Sequence, residues 1–118
     1  MYVVPANLDL SSFKDATLIQ LSVGEFQIQF KFHPEGSISL EGKWELRNSS
    51  GLLFDYGGRG SNAKREALRL HVILGEKVKG HSVNAPDSFS LRFESGHILT
   101  VFDDSKQYES FSIGSLYV

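Results

Sequence analysis

The sequence predicts a mainly β domain (α+β), in which a curved antiparallel sheet or small β-barrel of seven to eight strands carries one packed helix. Three observations lead there. Apolar and polar residues alternate at period two along most of the chain, as they do in strands with one wet face. Short turns rich in glycine, proline and asparagine separate the alternating runs. One stretch, 63–74, can instead be read at helical spacing. With 118 residues the chain is a single domain, 1–118, able to bury a core without disulfides or metals.

The elements follow in order. "ATLIQLSV" places Ile19, Leu21 and Val23 on one face, and Gly24-Glu25 suits a tight hairpin turn because glycine opens it without steric cost. "FQIQFKFH" turns Phe26, Ile28, Phe30 and Phe32 inward, with Gln27, Gln29, Lys31 and His33 outward. After the turn Pro34–Gly36, "SISLEGKWEL" reads as one strand with Ile38, Leu40, Trp44 and Leu46 inward and Ser39, Glu41, Lys43 and Glu45 outward. These three runs form an antiparallel meander. "NSSG" turns the chain into a short strand, "LLFDY". In 63–74, Ser61 or Asn62 can cap a helix whose Ala67, Leu70, Val72, Ile73 and Leu74 favour one side, with Gly75 past its end. The rival reading is a strand, since Leu68, Leu70, Val72 and Leu74 also alternate. "EKVKGHSV" is a strand, "NAPD" a turn, and "SFSLRFES", with Phe89, Leu91 and Phe93 against Ser90, Arg92 and Glu94, forms a hairpin with "HILTVFD" around Gly96, before a last strand in "YESFSIGSLYV".

Composition narrows the chemistry. The absence of cysteine removes disulfides, thiolate nucleophiles and thiolate metal ligands. No apolar run approaches the ~20 residues that cross a bilayer as a helix. The start "MYVVPANLDL" has neither a basic nor a long apolar region, so the expected compartment is the cytoplasm. Net charge is −2, unevenly spread. Residues 59–79 hold six basic and two acidic side chains, a net +4, which leaves −6 elsewhere.

Two sets of residues are candidate sites. "YGGRGSNAKR" leads glycines into the expected helix, where Arg59, Lys64 and Arg65 and free backbone N–H groups could hold an anion. It is not a nucleotide loop: its lysine does not follow the last glycine, and no hydroxyl follows that lysine. A connector is the favoured role. The second set is acidic: Asp103, Asp104 and Glu109 within "DDSKQYES", with Glu94 on a neighbouring strand. A turn held by aspartate hydrogen bonds is one role for it, and a carboxylate patch facing a basic partner is another. His33, His71, His81 and His97 lack zinc spacing, and no G-x-S-x-G elbow marks a nucleophile, so neither metal nor cofactor is expected.

The segment "SLRFESGHILTVFDDSKQYESFSI" resembles a family of small, uncharacterised bacterial proteins. Its recurring pattern is F-x-x-G, a second strand, an acidic turn, then Tyr-Glu, a small residue and an aromatic. Phe93, Gly96, Leu99, Val101, Asp103, Asp104, Ser105, Tyr108, Glu109, Ser110 and Phe111 carry the match. Proteins of this kind are similar to the immunity partners of bacterial toxins. The resemblance implies a non-catalytic protein that occludes one cognate toxin, with Asp103, Asp104 and Glu109 facing a basic, nuclease-type cleft. Tyr108 would lock the last strand.

The expected function is therefore protein binding without catalysis. Alternatives are a small-ligand-binding barrel, or an enzyme on it, and a nucleic-acid binder through residues 59–79. Exposed sheet edges also invite pairing in a homodimer.

Overall fold

The computed structural model describes residues 4, 8–58, 61–64, 68–103 and 111–114. Among them are nine strands in two antiparallel sheets packed face to face, a β-sandwich-like arrangement and not a closed barrel. One sheet is β1 (Thr17–Val23), β2 (Ile28–His33), β3 (Ser37–Leu40) and β9 (Phe111–Gly114), in that order. The other runs β5 (Leu53–Gly57), β4 (Trp44–Arg47), β8 (Ile98–Phe102), β7 (Ser88–Phe93) and β6 (Val78–Asn84).

The single strand expected from "SISLEGKWEL" is two strands in different sheets. The chain leaves β3 at Leu40, crosses through Glu41–Lys43 and re-enters as β4 at Trp44. The crossing keeps the inward parity, so Ile38, Leu40, Trp44 and Leu46 are all buried, as the alternation requires. Where β1 approaches the start of β6, the sheets are joined by an isolated bridge, Thr17 to Lys77.

The meander and both predicted hairpins are present, with shifted details. A bulge between Leu18 and Gln20 resets β1, so Leu18 is the buried residue and Ile19 is 53% exposed. The β1–β2 connection spans four residues, with Gly24 N–H donating to Gln27 O at 2.8 Å. Phe26 therefore falls outside β2 and is 62% exposed, against the inward place its alternation suggested. Phe30, Phe32, Trp44, Phe89 and Phe93 do form core. In the NSSG turn, Asn48 Oδ1 accepts the N–H groups of Ser50 and Leu52.

Among the described residues there is no α-helix, and the packed helix of the sequence reading is replaced by short 3-10 turns. In "RLHVILG" the turn is Leu70–Ile73, with Leu70 and Ile73 fully buried and Val72 and Leu74 partly exposed. That is the i, i+3 spacing of a 3-10 turn, where such residues stack on one side. Tertiary anchors leave room for nothing longer. Arg69 N–H donates to Asp55 Oδ2 at 2.7 Å on one flank, and Gly75 N–H donates to Leu18 O at 2.8 Å on the other. Val72, Ile73 and His71 are also indifferent helix formers, so propensity does not oppose the anchors.

Candidate functional site

The outer face of the five-stranded sheet is built by register. Antiparallel pairing aligns Gly80, Arg92, Ile98, Arg47 and Leu53 in one row across the strands. A parallel row holds Ser82, Ser90, Thr100, Glu45 and Tyr56. Four inter-strand spacings make these rows about 19 Å wide. A bulge at β5, where Leu46 faces Asp55 but Arg47 faces Leu53, keeps Leu53 and Tyr56 in these outer rows although they are three residues apart.

Each row has a distinct chemistry. Tyr56 is 64% and Leu53 48% exposed, and Leu52 beside them is 65% exposed. Arg47 is held in place by Glu45 Oε1 at 3.1 Å and by Gly51 O at 3.0 Å. Ser90 and Thr100 hydroxyls meet at 2.9 Å. Arg92 lies flat across Gly80, where a Cβ would come within 2.9 Å of its Nη2. Among the described residues no carboxylate pairs with Arg92, whose nearest acceptor is Lys79 O at 3.5 Å. Around it Gly80, His81, Ser82, Ser90 and Ile98 line a shallow hollow of about 280 Å³.

The acidic candidates are only partly placed. Asp104 and Glu109 lie outside the described residues. Asp103 follows β8 and donates its N–H to Asp87 O at 2.9 Å, which brings Asp87 of the "NAPD" turn beside it. Glu94 is not on the neighbouring strand but in the turn just past its last residue, Phe93, at the other end of the β7–β8 hairpin, where its N–H donates to Lys77 O. About five residues of strand rise, roughly 17 Å, separate it from Asp103. The structure thus brings Asp87, not Glu94, to Asp103. Asp87 was legible only as a turn residue, because the pairing of two distant turns is set by strand register.

Arg59 and Arg65 of the glycine loop also lie outside the described residues. Between them, Asn62–Lys64 forms a single 3-10 turn, capped by Ser61 Oγ on Ala63 N–H at 3.2 Å. The side chain of Lys64 lies outside the description. Among the described residues no α-helix follows this turn, so the helix start expected to favour an anion is not found there. Asn62 instead pins the loop to the β1–β2 tip: its N–H donates to Glu25 O, and its side-chain amide donates to Gly24 O at 2.8 Å. Farther along the basic segment, Arg69 stacks 3.7 Å from the Phe54 ring centroid, and Lys79 reaches Asp15 at 3.5 Å.

Ser95 Oγ and His97 Nδ1 stand 2.7 Å apart, but they are two residues apart in one turn, and Ser95 Oγ also accepts His97 N–H. Glu76, the nearby carboxylate, accepts Ser95 N–H rather than engaging the imidazole. Among the described residues no three metal-ligating side chains converge, and no helix is long and apolar enough to cross a membrane. No family model, curated protein or solved structure matches this chain.

Proposed function

We propose that this protein is a non-catalytic binding module whose partner is another protein, docked on the outer face of the five-stranded sheet. One observation carries the reading: exposed Tyr56 and Leu53 share that face with Arg47 and Arg92 in rows about 19 Å wide. Tyrosine and arginine are the side chains most enriched where proteins bury surface against one another, and an aliphatic neighbour supplies desolvation. Arg47 is pre-positioned by Glu45, so little rotamer freedom is lost on contact. In the finer form of the proposal the partner is a bacterial toxin, neutralised by occlusion. That form rests on the C-terminal resemblance and on an acidic end where Asp103 is joined by Asp87. The ligand-barrel alternative draws less support, because the aromatic strand faces that would wall its cavity are packed core, with Phe30, Phe89 and Phe93 at 1% exposure or less.

The test is capture from lysate of the source cells, followed by reconstitution with the purified partner. Three baits are compared: wild type, Tyr56→Ala/Arg92→Glu and Asp87→Lys/Asp103→Lys. A stoichiometric protein partner whose affinity falls at least ~100-fold with the first double variant supports docking on the sheet face. Loss only with the second would move the contact to the acidic end. Recovery of nucleic acid alone, or of no partner, rejects the proposal.

A further inference from the structure

β1 is an edge strand of the four-stranded sheet. Its first residues are already covered. Leu18 donates its N–H to Glu76 O at 3.0 Å and accepts from Gly75 N–H at 2.8 Å, while Ala16 O accepts from Val78 N–H at 2.9 Å. Beyond Leu18 the cover ends. Gln20 and Ser22 stand opposite Lys31 and Gln29, and Leu21 and Val23 opposite Phe30 and Ile28. The closing bond from Gly24 N–H to Gln27 O fixes the alternation of the ladder. Gln20 and Ser22 exchange hydrogen bonds with β2, so Leu21 and Val23 direct their N–H and C=O groups to the open side. Among the described residues nothing meets them there.

Both edges of the five-stranded sheet are defended. Arg69 lies across β5, reaching Phe54 O at 3.4 Å and stacking on its ring. β6 is bulged at Lys79, a charged residue turned to Asp15. Bulges and lysines are the usual means of keeping edges from pairing. The strand β1, TLIQLSV, carries no charge and no proline. Ile19 and Val23 are 53% and 50% exposed beside its open backbone.

We infer that a second copy of this chain covers that edge, β1 pairing antiparallel with the partner's β1 about a two-fold axis at Ser22. The occupant follows from the strand itself. With the axis at Ser22, Leu21 meets the partner's Val23 and Val23 meets the partner's Leu21, each pair exchanging both N–H···O bonds. An uncharged strand sets no like charges against each other under that symmetry. The length fits as well. The open edge runs from Ile19 to Val23, so the hairpin tip bearing Phe26 comes to rest against the partner's Gly75, beside the partner's Leu74. In one chain both Phe26 and Leu74 are exposed, at 62% and 42%. The two sheets join into one continuous eight-stranded sheet across the axis.

The absence of cysteine makes the register directly testable. Residues facing each other without hydrogen bonds in an antiparallel pair have Cα atoms about 4.5 Å apart, inside the disulfide range of about 4.4–6.8 Å. Ser22→Cys is therefore expected to cross-link into covalent dimer on mild oxidation, at least about tenfold faster than Gln20→Cys, which sits on the same face away from the axis. Val23→Lys, at an exposed position that leaves the fold intact, is expected to weaken dimerisation at least about tenfold in sedimentation across a concentration series. Wild-type protein that stays monomeric throughout the series overturns the inference. So does equal cross-linking of the two cysteine variants, or a dimer that Val23→Lys leaves unchanged.

Discussion

Asp55 Oδ2 accepts the backbone N–H of Arg69 at 2.7 Å, while the Arg69 guanidinium stacks 3.7 Å from the ring of Phe54, the residue preceding Asp55. Asp55 is 6% exposed, and its Oδ1 also accepts Tyr56 N–H at 2.8 Å. One buried carboxylate thus ties the chain before the Leu70–Ile73 turn to the strand that carries Tyr56.

Removing it should loosen both. Asp55→Ala strips an acceptor from two backbone donors and is expected to cost about 1–3 kcal/mol, visible as a lower urea midpoint with an unchanged slope. Asp55→Asn keeps one oxygen and should lose less. An alanine variant within about 0.5 kcal/mol of wild type would mean that water replaces the carboxylate without loss.

The 3-10 turn makes a different demand. Ile73 is fully buried and Leu74 is 42% exposed. Ile73→Ala should cost about 2–5 kcal/mol, and Leu74→Ala about 1 kcal/mol or less in the monomer. A strand through 68–74 would reverse the order, because Leu74 would then share the buried parity with Leu70. Chemical denaturation of the two variants decides it.

Gly36 and Gly51 both have positive φ, +105° and +82°. An added Cβ at Gly51 meets nothing within 4 Å, whereas at Gly36 it would lie 2.8 Å from Cε1 of Phe13. Phe13 cannot yield, being 1% exposed and packed edge-on against Phe32 at 5.1 Å. Gly51→Ala should therefore cost the backbone strain alone, about 1–2 kcal/mol. Gly36→Ala should add a packing cost of about 1–3 kcal/mol. Equal midpoints for the pair would show that the Phe13 contact relaxes freely.

Near the start of the described chain, Asp9 Oδ1 accepts Ser11 N–H at 2.9 Å. Hydrogen bonds from the Ser11 side chain, and then from its backbone, hold the Asp9 carboxyl below the ordinary aspartate value. The sign follows. A carboxyl lowered in the folded state supports its turn fully above the ordinary value, and that support is lost as pH falls through the lowered one. Because Asp9 is exposed, the effect belongs to the turn. In an NMR titration the Ser11 amide should move with a midpoint below that of a free aspartate, and Asp9→Asn should abolish the movement. A midpoint at or above the free value contradicts this.

How much of this was written in the chain can be judged from particular residues. Period-two alternation identified the core face of β2, β3, β4 and β7, and turn chemistry marked the NSSG and ESGH turns. It failed at Ile19, because a bulge shifts parity without altering composition, and at Phe26, because a four-residue connection looks like the first step of a strand. It could not separate β3 from β4, whose inward residues keep one parity through the crossing. Ser90, Arg92 and Glu45 were legible as outward residues. That Arg92, Arg47 and Tyr56 lie on one surface was not, since it requires the order β5, β4, β8, β7, β6 and the bulge at Phe54.

The sequence by itself therefore determined which side chains leave water and where the chain turns, because burial parity and turn chemistry are local properties. Tertiary structure decided which strands are neighbours, that 69–75 is a pinned 3-10 turn rather than a helix, and which strands become sheet edges. Those outcomes depend on bonds such as Asp55 to Arg69 and Leu18 to Gly75, whose partners are 14 and 57 residues apart. No local pattern encodes a partner at that distance.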